Sequence, residues 1–341
     1  MTAQTRDAGS NRVARFALSS SFDSRIRELL PPKNLPAFPP SCGFALVLAI
    51  STLSACRSPT EAEIETWNEP ALGWQEVWRD DFDTPAGTAP DAKHWNVEIR
   101  PSGYNEELDY DTDDRKNSFT DGAGNLVIRA IKENYVDPQG VTSKQPFTSA
   151  RLNTQGKVEQ AYGKFEARIK LPVGGKGVWP AFWMLGNDID DVGWPLCGEV
   201  DILEMRGSRP TVIDGSLHGP GYSGGSAYHH FYELQSGSYG DAFHVFTFEW
   251  TPEAARWLVD GDEYQVKTAA TVKQAGYRWV YDHPFFLIIN LAIGGIYDGD
   301  PDSSTVFPQE LQVDYVSVSK LGGTKRGNPQ EGGKIFGVGE S

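Results

Sequence analysis

Cysteine is scarce in this chain: Cys42, Cys56 and Cys197 are the only three in 341 residues. No disulfide framework can be built from so few. Basic residues are also short, with 31 Lys and Arg against 46 Asp and Glu and a formal charge of −15. Residues 56–341 hold 25 basic against 43 acidic side chains, a balance of −18. That deficit excludes a nucleic-acid partner, whose phosphates need clusters of Lys and Arg. A sustained amphipathic helical period is missing, and so is any internal repeat. The histidines, including the His229-His230 pair, lack the spacing of metal ligands.

No apolar run is long enough to span a bilayer. The apolar part of GFALVLAISTLSAC, Gly43 to Cys56, is about a dozen residues, the length of a signal-peptide core. Leu53-Ser54-Ala55-Cys56 resembles the lipobox of bacterial lipoproteins, which implies export, lipidation of Cys56 and membrane attachment through that anchor alone. Without lipidation the protein is expected to be secreted. About forty residues precede the apolar core, so the true start is expected downstream of Met1. Residues 1–55 thus read as an export segment and 56–70 as a polar tether. Residues 321–341 are Gly-rich and poor in apolar residues, a disordered tail.

Aromatic residues are plentiful, with 10 Trp, 13 Tyr and 17 Phe, beside 36 Gly and 22 Pro for turns. Short β-branched and aromatic runs recur between Gly, Pro, Asn and Asp, as in LVIRAI (Leu126–Ile131), HVFTFEW (His244–Trp250) and FFLIINLAI (Phe285–Ile293). In RWLVDGDEYQV, the Asp260-Gly261 pair between apolar runs predicts a hairpin. Strands follow one another without intervening helices, so residues 71–320 are expected to form one all-β, antiparallel sandwich.

One run breaks the pattern. GEVDILEMRG sets Glu199, Asp201 and Glu204 among apolar neighbours. Alternate side chains of a strand share a face, so Glu199 and Asp201 point one way, while a regular strand would turn Glu204 into the apolar layer. An unpaired carboxylate there is costly. One extra residue at Ile202-Leu203, a β-bulge, would return Glu204 to the acidic face. Three acids on one face push their pKa values apart, and glycoside hydrolysis needs one ionised and one protonated carboxyl. A calcium cluster or a solvated strand face remain alternatives for this stretch taken alone.

Glu-x-Asp-x-x-Glu preceded by Trp194-Pro195-Leu196-Cys197-Gly198 resembles the active-site strand of glycoside hydrolase family 16. WRDDFD (Trp78–Asp83), YNEELDY (Tyr104–Tyr110), TSARLNT (Thr148–Thr154), GVWPAFWMLG (Gly177–Gly186) and LHGPGYSG (Leu217–Gly224) extend the likeness across the domain, towards the bacterial laminarinases. The resemblance implies a β-jelly-roll with a concave cleft and a retaining endo-β-1,3-glucanase. Glu199 is implied as nucleophile, Glu204 as general acid/base, and Asp201 as the residue that tunes the nucleophile. It implies β-glucan as the partner, a monomer, no cofactor for catalysis, and substrate contacts from Asn105, Arg151, Trp179, Trp183, Trp194, His218 and Asn290. A structural calcium would sit on Asp81, Gly124 and Asp314, hard oxygen donors.

The chain departs from the family where Glu106 and Asp109 replace an Asn and a Gln, and where Ile296-Tyr297 follows Gly294-Gly295 in place of Asn-Trp. Other family 16 activities (agarase, carrageenase, lichenase) and a non-catalytic glucan-binding protein are the competing readings. Retention of all three acids with the extra residue opposes the binding protein and the lichenase. The scarcity of cations opposes a carrageenase.

Overall fold

The computed structural model describes residues 73–101, 105–137 and 139–322. The export segment, Cys56, the tether and the tail beyond Gly322 lie outside the described residues. Among the described residues no helix is long and apolar enough to cross a membrane. Among the described residues the strands form two sheets, one of eleven strands and one of eight. Nearly all pairings are antiparallel, the exception being Asp109–Asp111 beside Phe147–Ser149. The jelly-roll sandwich expected from the sequence is therefore observed.

The eight-stranded sheet carries the acids. Across it run Tyr228–Glu233, Val212–His218, Glu199–Met205, Val178–Gly186, Phe285–Ile293, Arg151–Asn153 and Asn96–Val97, with Glu159–Gln160 also paired to Phe285–Ile293. HVFTFEW and FFLIINLAI form strands over the residues read from the sequence. The last strand, Gln309–Leu321, runs one residue past the expected boundary. At the hairpin, Asp260 and Gly261 have φ of 52° and 88°, both positive, as a type I′ turn requires.

The two sheets bury one apolar layer between them, with Phe165, Phe246, Phe248, Trp250 and Trp257 from one side and Phe182, Val200, Ile202, Phe285 and Ile289 from the other. Each buried aromatic of this kind contributes about 3–5 kcal/mol as judged by truncation to Ala. Trp257 Nε1 crosses the layer to donate to the Asp201 carbonyl at 2.8 Å, so the core of one sheet fixes the backbone beneath the acids of the other. Gly215 faces the same contact. A Cβ there would lie 2.3 Å from Tyr264 Oη and 2.7 Å from Trp257 Cδ1, and no side chain fits.

Candidate active site

Register locates the bulge. Trp183 pairs with Asp201, but its neighbour Phe182 pairs with Leu203, so Ile202 is the extra residue on this edge. On the other edge Asp201 pairs with Ser216 and Glu204 with Asp214, leaving Ile202 and Leu203 both opposite Gly215. Ile202 and Leu203 are buried, whereas Glu199 and Glu204 are only partly covered. The alternation is reset within one residue. Cross-strand rows then run over the open face: His218, Glu199 and Leu185; Ser216, Asp201 and Trp183; Asp214, Glu204 and Ala181.

Each acid has distinct partners. Glu199 Oε2 accepts from Trp194 Nε1 at 3.0 Å, and its Oε1 lies 3.6 Å from His218 Nε2. Asp201 Oδ2 accepts from the Ser216 hydroxyl and sits 3.0 Å from His218 Nε2. Glu204 Oε1 accepts from Trp179 Nε1 at 2.8 Å. Burial, followed by the charge of Asp201, pushes the Glu199 carboxyl up to about 8. Burial, then Asp201 and Asp214, holds Glu204 well above the usual carboxylate range. Burial also lifts Asp214, to about 6, against the pull of His229.

Desolvation opposes charge on His218, but Asp201, Glu199 and Glu204 outweigh it and raise the imidazole to about 9. In the neutral ring, Nδ1 accepts from the Gly224 amide at 3.0 Å, which places that form's single proton on Nε2, facing Asp201. Among the described residues, Glu199, Asp201 and His218 form a group of potential metal ligands whose donor atoms lie within 4.8 Å of one another. With Nε2 protonated towards Asp201 and Nδ1 engaged by Gly224, His218 turns no free lone pair towards this group.

These shifts fix a sign for stability. Glu199 and Asp214 have folded pKa values above their ordinary 4.5 and 3.8, so the folded chain holds protons that the unfolded chain releases. Stability must fall as pH rises from about 5 to about 8. Glu98, pulled below its usual range by Arg151 and Arg100 despite burial, acts with the opposite sign and only at more acid pH. Melting temperatures measured at pH 5, 6.5 and 8 are expected to decline in that order. A rise across that window would contradict the buried, protonated pair.

All the sequence-predicted cleft residues except Asn105 lie on or beside this face. Trp179 and Trp183 share it, as strand alternation predicts, and Trp183 Nε1 donates to Asn290 Oδ1 at 2.7 Å. The Arg151 guanidinium lies 4.6 Å from the Trp183 ring centroid and its Nε bonds Glu98 at 2.9 Å. Trp194 is 49% exposed beside His218, ring centroids 6.1 Å apart. Asn105 sits on the adjoining loop, where its carbonyl accepts from the Ile296 amide at 2.8 Å. Tyr104 lies outside the described residues.

Sequence reasoning missed Asp214 and Ser216. The signal was present in VIDGSLH, where Asp214, Ser216 and His218 alternate with Ile213, Gly215 and Leu217. It also passed over Glu98, which holds Arg151 in place.

The expected calcium positions converge through register. Asp80 pairs with Val316 and Leu126 with Val313, which sets Asp314 between Asp81 and Gly124. Asp314 is the bulged residue where Arg168 pairs with Tyr315 and Ile169 with Val313. Its Oδ2 bonds Arg168 at 2.6 Å, and Asp81 Oδ1 bonds Arg79 at 2.6 Å. The Asp81 carbonyl lies 3.9 Å from where a Gly124 Cβ would stand. Oxygen donors are therefore present, with both carboxylates already engaged by arginines.

The fold and the face of acids have clear relatives. The model of Glycosyl hydrolases family 16 matches residues 106–317. A β-glucanase of Rhodothermus marinus is 38% identical over 267 residues, 74% of this chain and 87% of that protein. The laminarinase catalytic domain from Thermotoga maritima aligns with a TM-score of 0.67 at 46% identity, covering 72% of this chain and 98% of that one. The endo-β-1,3-glucanase from Pyrococcus furiosus gives 0.68 at 43% identity, covering 73% and 95%. With its bulged carboxylate strand on the open face of a jelly-roll and a family match over most of its length, the chain belongs to glycosyl hydrolase family 16.

Proposed function

We propose that the protein is a retaining endo-β-1,3-glucanase acting on laminarin-like and mixed-linkage β-glucans. The observation that carries this reading is the bulge at Ile202, which puts Glu204 on one open face with Glu199 and Asp201. Glu199 is the nucleophile: it attacks the anomeric carbon while Glu204 donates its proton to the departing glycosidic oxygen. Glu204, then ionised, takes a proton from water as that water releases the sugar from Glu199. Asp201, fixed by Ser216 and His218, stands beside Glu199 and orients it. The desolvation that keeps Glu204 protonated suits its first task; at Glu199 the His218, Arg151 and Trp194 contacts offset only part of the burial and Asp201 effects, and the ionised fraction of Glu199 is the form that attacks. Trp194, Trp183 and Trp179 offer ring faces for the apolar faces of glucosyl units.

Reducing-sugar release from laminarin, lichenan, agarose and κ-carrageenan tests the substrate class. Release from laminarin and lichenan is expected. Release from the galactans alone would keep the chemistry and overturn the substrate, and retention on a β-glucan gel without release would make the protein a binding module.

Calcium, if held by Asp81, Gly124 and Asp314, is structural and distant from the acids in sequence and sheet. At a concentration of about 100 Kd it would add about 2.7 kcal/mol of stability. A melting temperature raised by calcium over EDTA in the wild type, with a smaller rise in Asp314→Asn, is the expected result. We further propose export with lipidation of Cys56, to be checked by intact mass of the membrane fraction.

A further inference from the structure

Arg206 closes the acid motif in sequence, and the chemistry above leaves it without a task. It lies two residues beyond Glu204, just past the end of the strand at Met205. Its guanidinium stands 4.2 Å from the Tyr297 ring centroid and 5.8 Å from that of Phe231. Its Nε is buried without a hydrogen-bond partner, although five N–H donors in a fixed fork are costly to leave unused. Tyr297 in turn packs on Trp179, centroids 5.0 Å apart, and Trp179 bonds Glu204.

Phe231 belongs to the same face. It pairs with Asp214, and Asp214 pairs with Glu204, so the three share one cross-strand row. His230 and Tyr232, its neighbours, turn inward against Tyr264. Phe231 is 38% exposed, a large apolar ring beside a polar row, with the Arg209 guanidinium 5.5 Å from its centroid and the His229 ring edge-on at 5.1 Å. A solvated face does not call for such a ring, whereas sugar-binding sites combine an aromatic platform with nearby donors. This flank lies across the carboxylate strand from Arg151 and Asn290.

We propose that Phe231 and Arg206, with Tyr297 holding Arg206 in place, form the subsite for the leaving-group side of the glucan, and that the same subsite seats an acceptor sugar for transglycosylation. This rests on the glucanase reading. A glucan crossing the strand has its scissile bond over Glu199 and Glu204, with one portion towards Arg151 and the other towards Phe231. In transfer, an acceptor hydroxyl oxygen bonds to the anomeric carbon as the ester to Glu199 breaks, and the hydroxyl proton passes to Glu204. The glycosyl–enzyme ester is exchanged for a new glycosidic bond, with no redox partner.

The test compares laminarihexaose with an aryl β-laminaribioside, whose leaving group is a phenol and needs no sugar subsite on that side. Phe231→Ala and Arg206→Gln are each expected to lower kcat/KM for the hexaose by about tenfold, the scale of one stacking or charged contact. The loss on the aryl glycoside should be at least threefold smaller, and the yield of products longer than the hexaose should fall. Equal losses on both substrates would place these residues elsewhere in the machinery and overturn the proposal, as would no loss on either. Wild-type protein that cuts neither substrate would instead overturn the glucanase reading. Phe231→Tyr, which keeps the ring, should restore most of the hexaose activity.

Discussion

Glu199→Gln is expected to lower kcat on laminarin by about 10⁴-fold or more while leaving a folded protein. The amide keeps the size of the carboxyl and an oxygen to accept from Trp194 Nε1, which approaches Glu199 at 3.0 Å. What it removes is the anionic carboxylate oxygen that bonds to the anomeric carbon. Because burial and Asp201 already disfavour charge on Glu199, replacing it with a neutral group relieves repulsion in the folded state. The melting temperature at pH 8 should therefore be equal to or above that of wild type. Residual activity above a tenth of wild type in a well-folded variant would remove Glu199 from the nucleophile's position.

Glu204→Ala produces the second large effect, and a selective one. On laminarin the leaving oxygen is a poor leaving group without a proton, and loss of the acid costs about 10²–10⁴-fold. A phenol departs unaided, so formation of the glycosyl–enzyme from an aryl glycoside is affected far less. Water is then hard to activate, and the covalent intermediate accumulates. Azide, which needs no base, should enter the space left by the Glu204 side chain and release the sugar as a β-glycosyl azide. Recovery of turnover with azide in Glu204→Ala but not in Glu199→Gln would separate the two roles. Equal response in both variants would refute the assignment. Trp179 loses its 2.8 Å acceptor in Glu204→Ala, a buried-donor cost of about 1–3 kcal/mol, so thermal melts belong beside the kinetics.

Much of this arrangement is legible in the sequence. The bulge followed from alternation alone, because Glu204 could not be left facing Phe182, Val200 and Ile202 in the core. Trp179 and Trp183, four residues apart on a strand that pairs without a break to Phe285–Ile293, fell on one face for the same reason. The turn at Asp260-Gly261 was legible because few dipeptides tolerate two positive φ angles. Arg206 and Phe231 were not legible. Phe231 stands in YHHFYE, where every residue is aromatic, His or Glu and both faces look alike by hydropathy. Only pairing to Asp214 tells which face is open, and pairing is a long-range property. The partner of Asp314 was hidden likewise, since Arg168 meets it across 146 positions of sequence.

The bulge also bears on how this chain can change length. In an ordinary strand, losing one residue exchanges the inward and outward sets beyond that point, and the core empties onto the surface. Between Asp201 and Glu204 the reverse holds. Two residues there face Gly215 alone, so the strand already carries a surplus. Removing one of them would restore plain alternation with Glu, Asp and Glu still on the outer side. This is the one place in the strand where a deletion preserves sidedness, and it would shorten the spacing of the two glutamates without dismantling the sandwich beneath them. Variation in length among proteins built on this strand is therefore cheapest at the very position that sets the distance between the reacting groups.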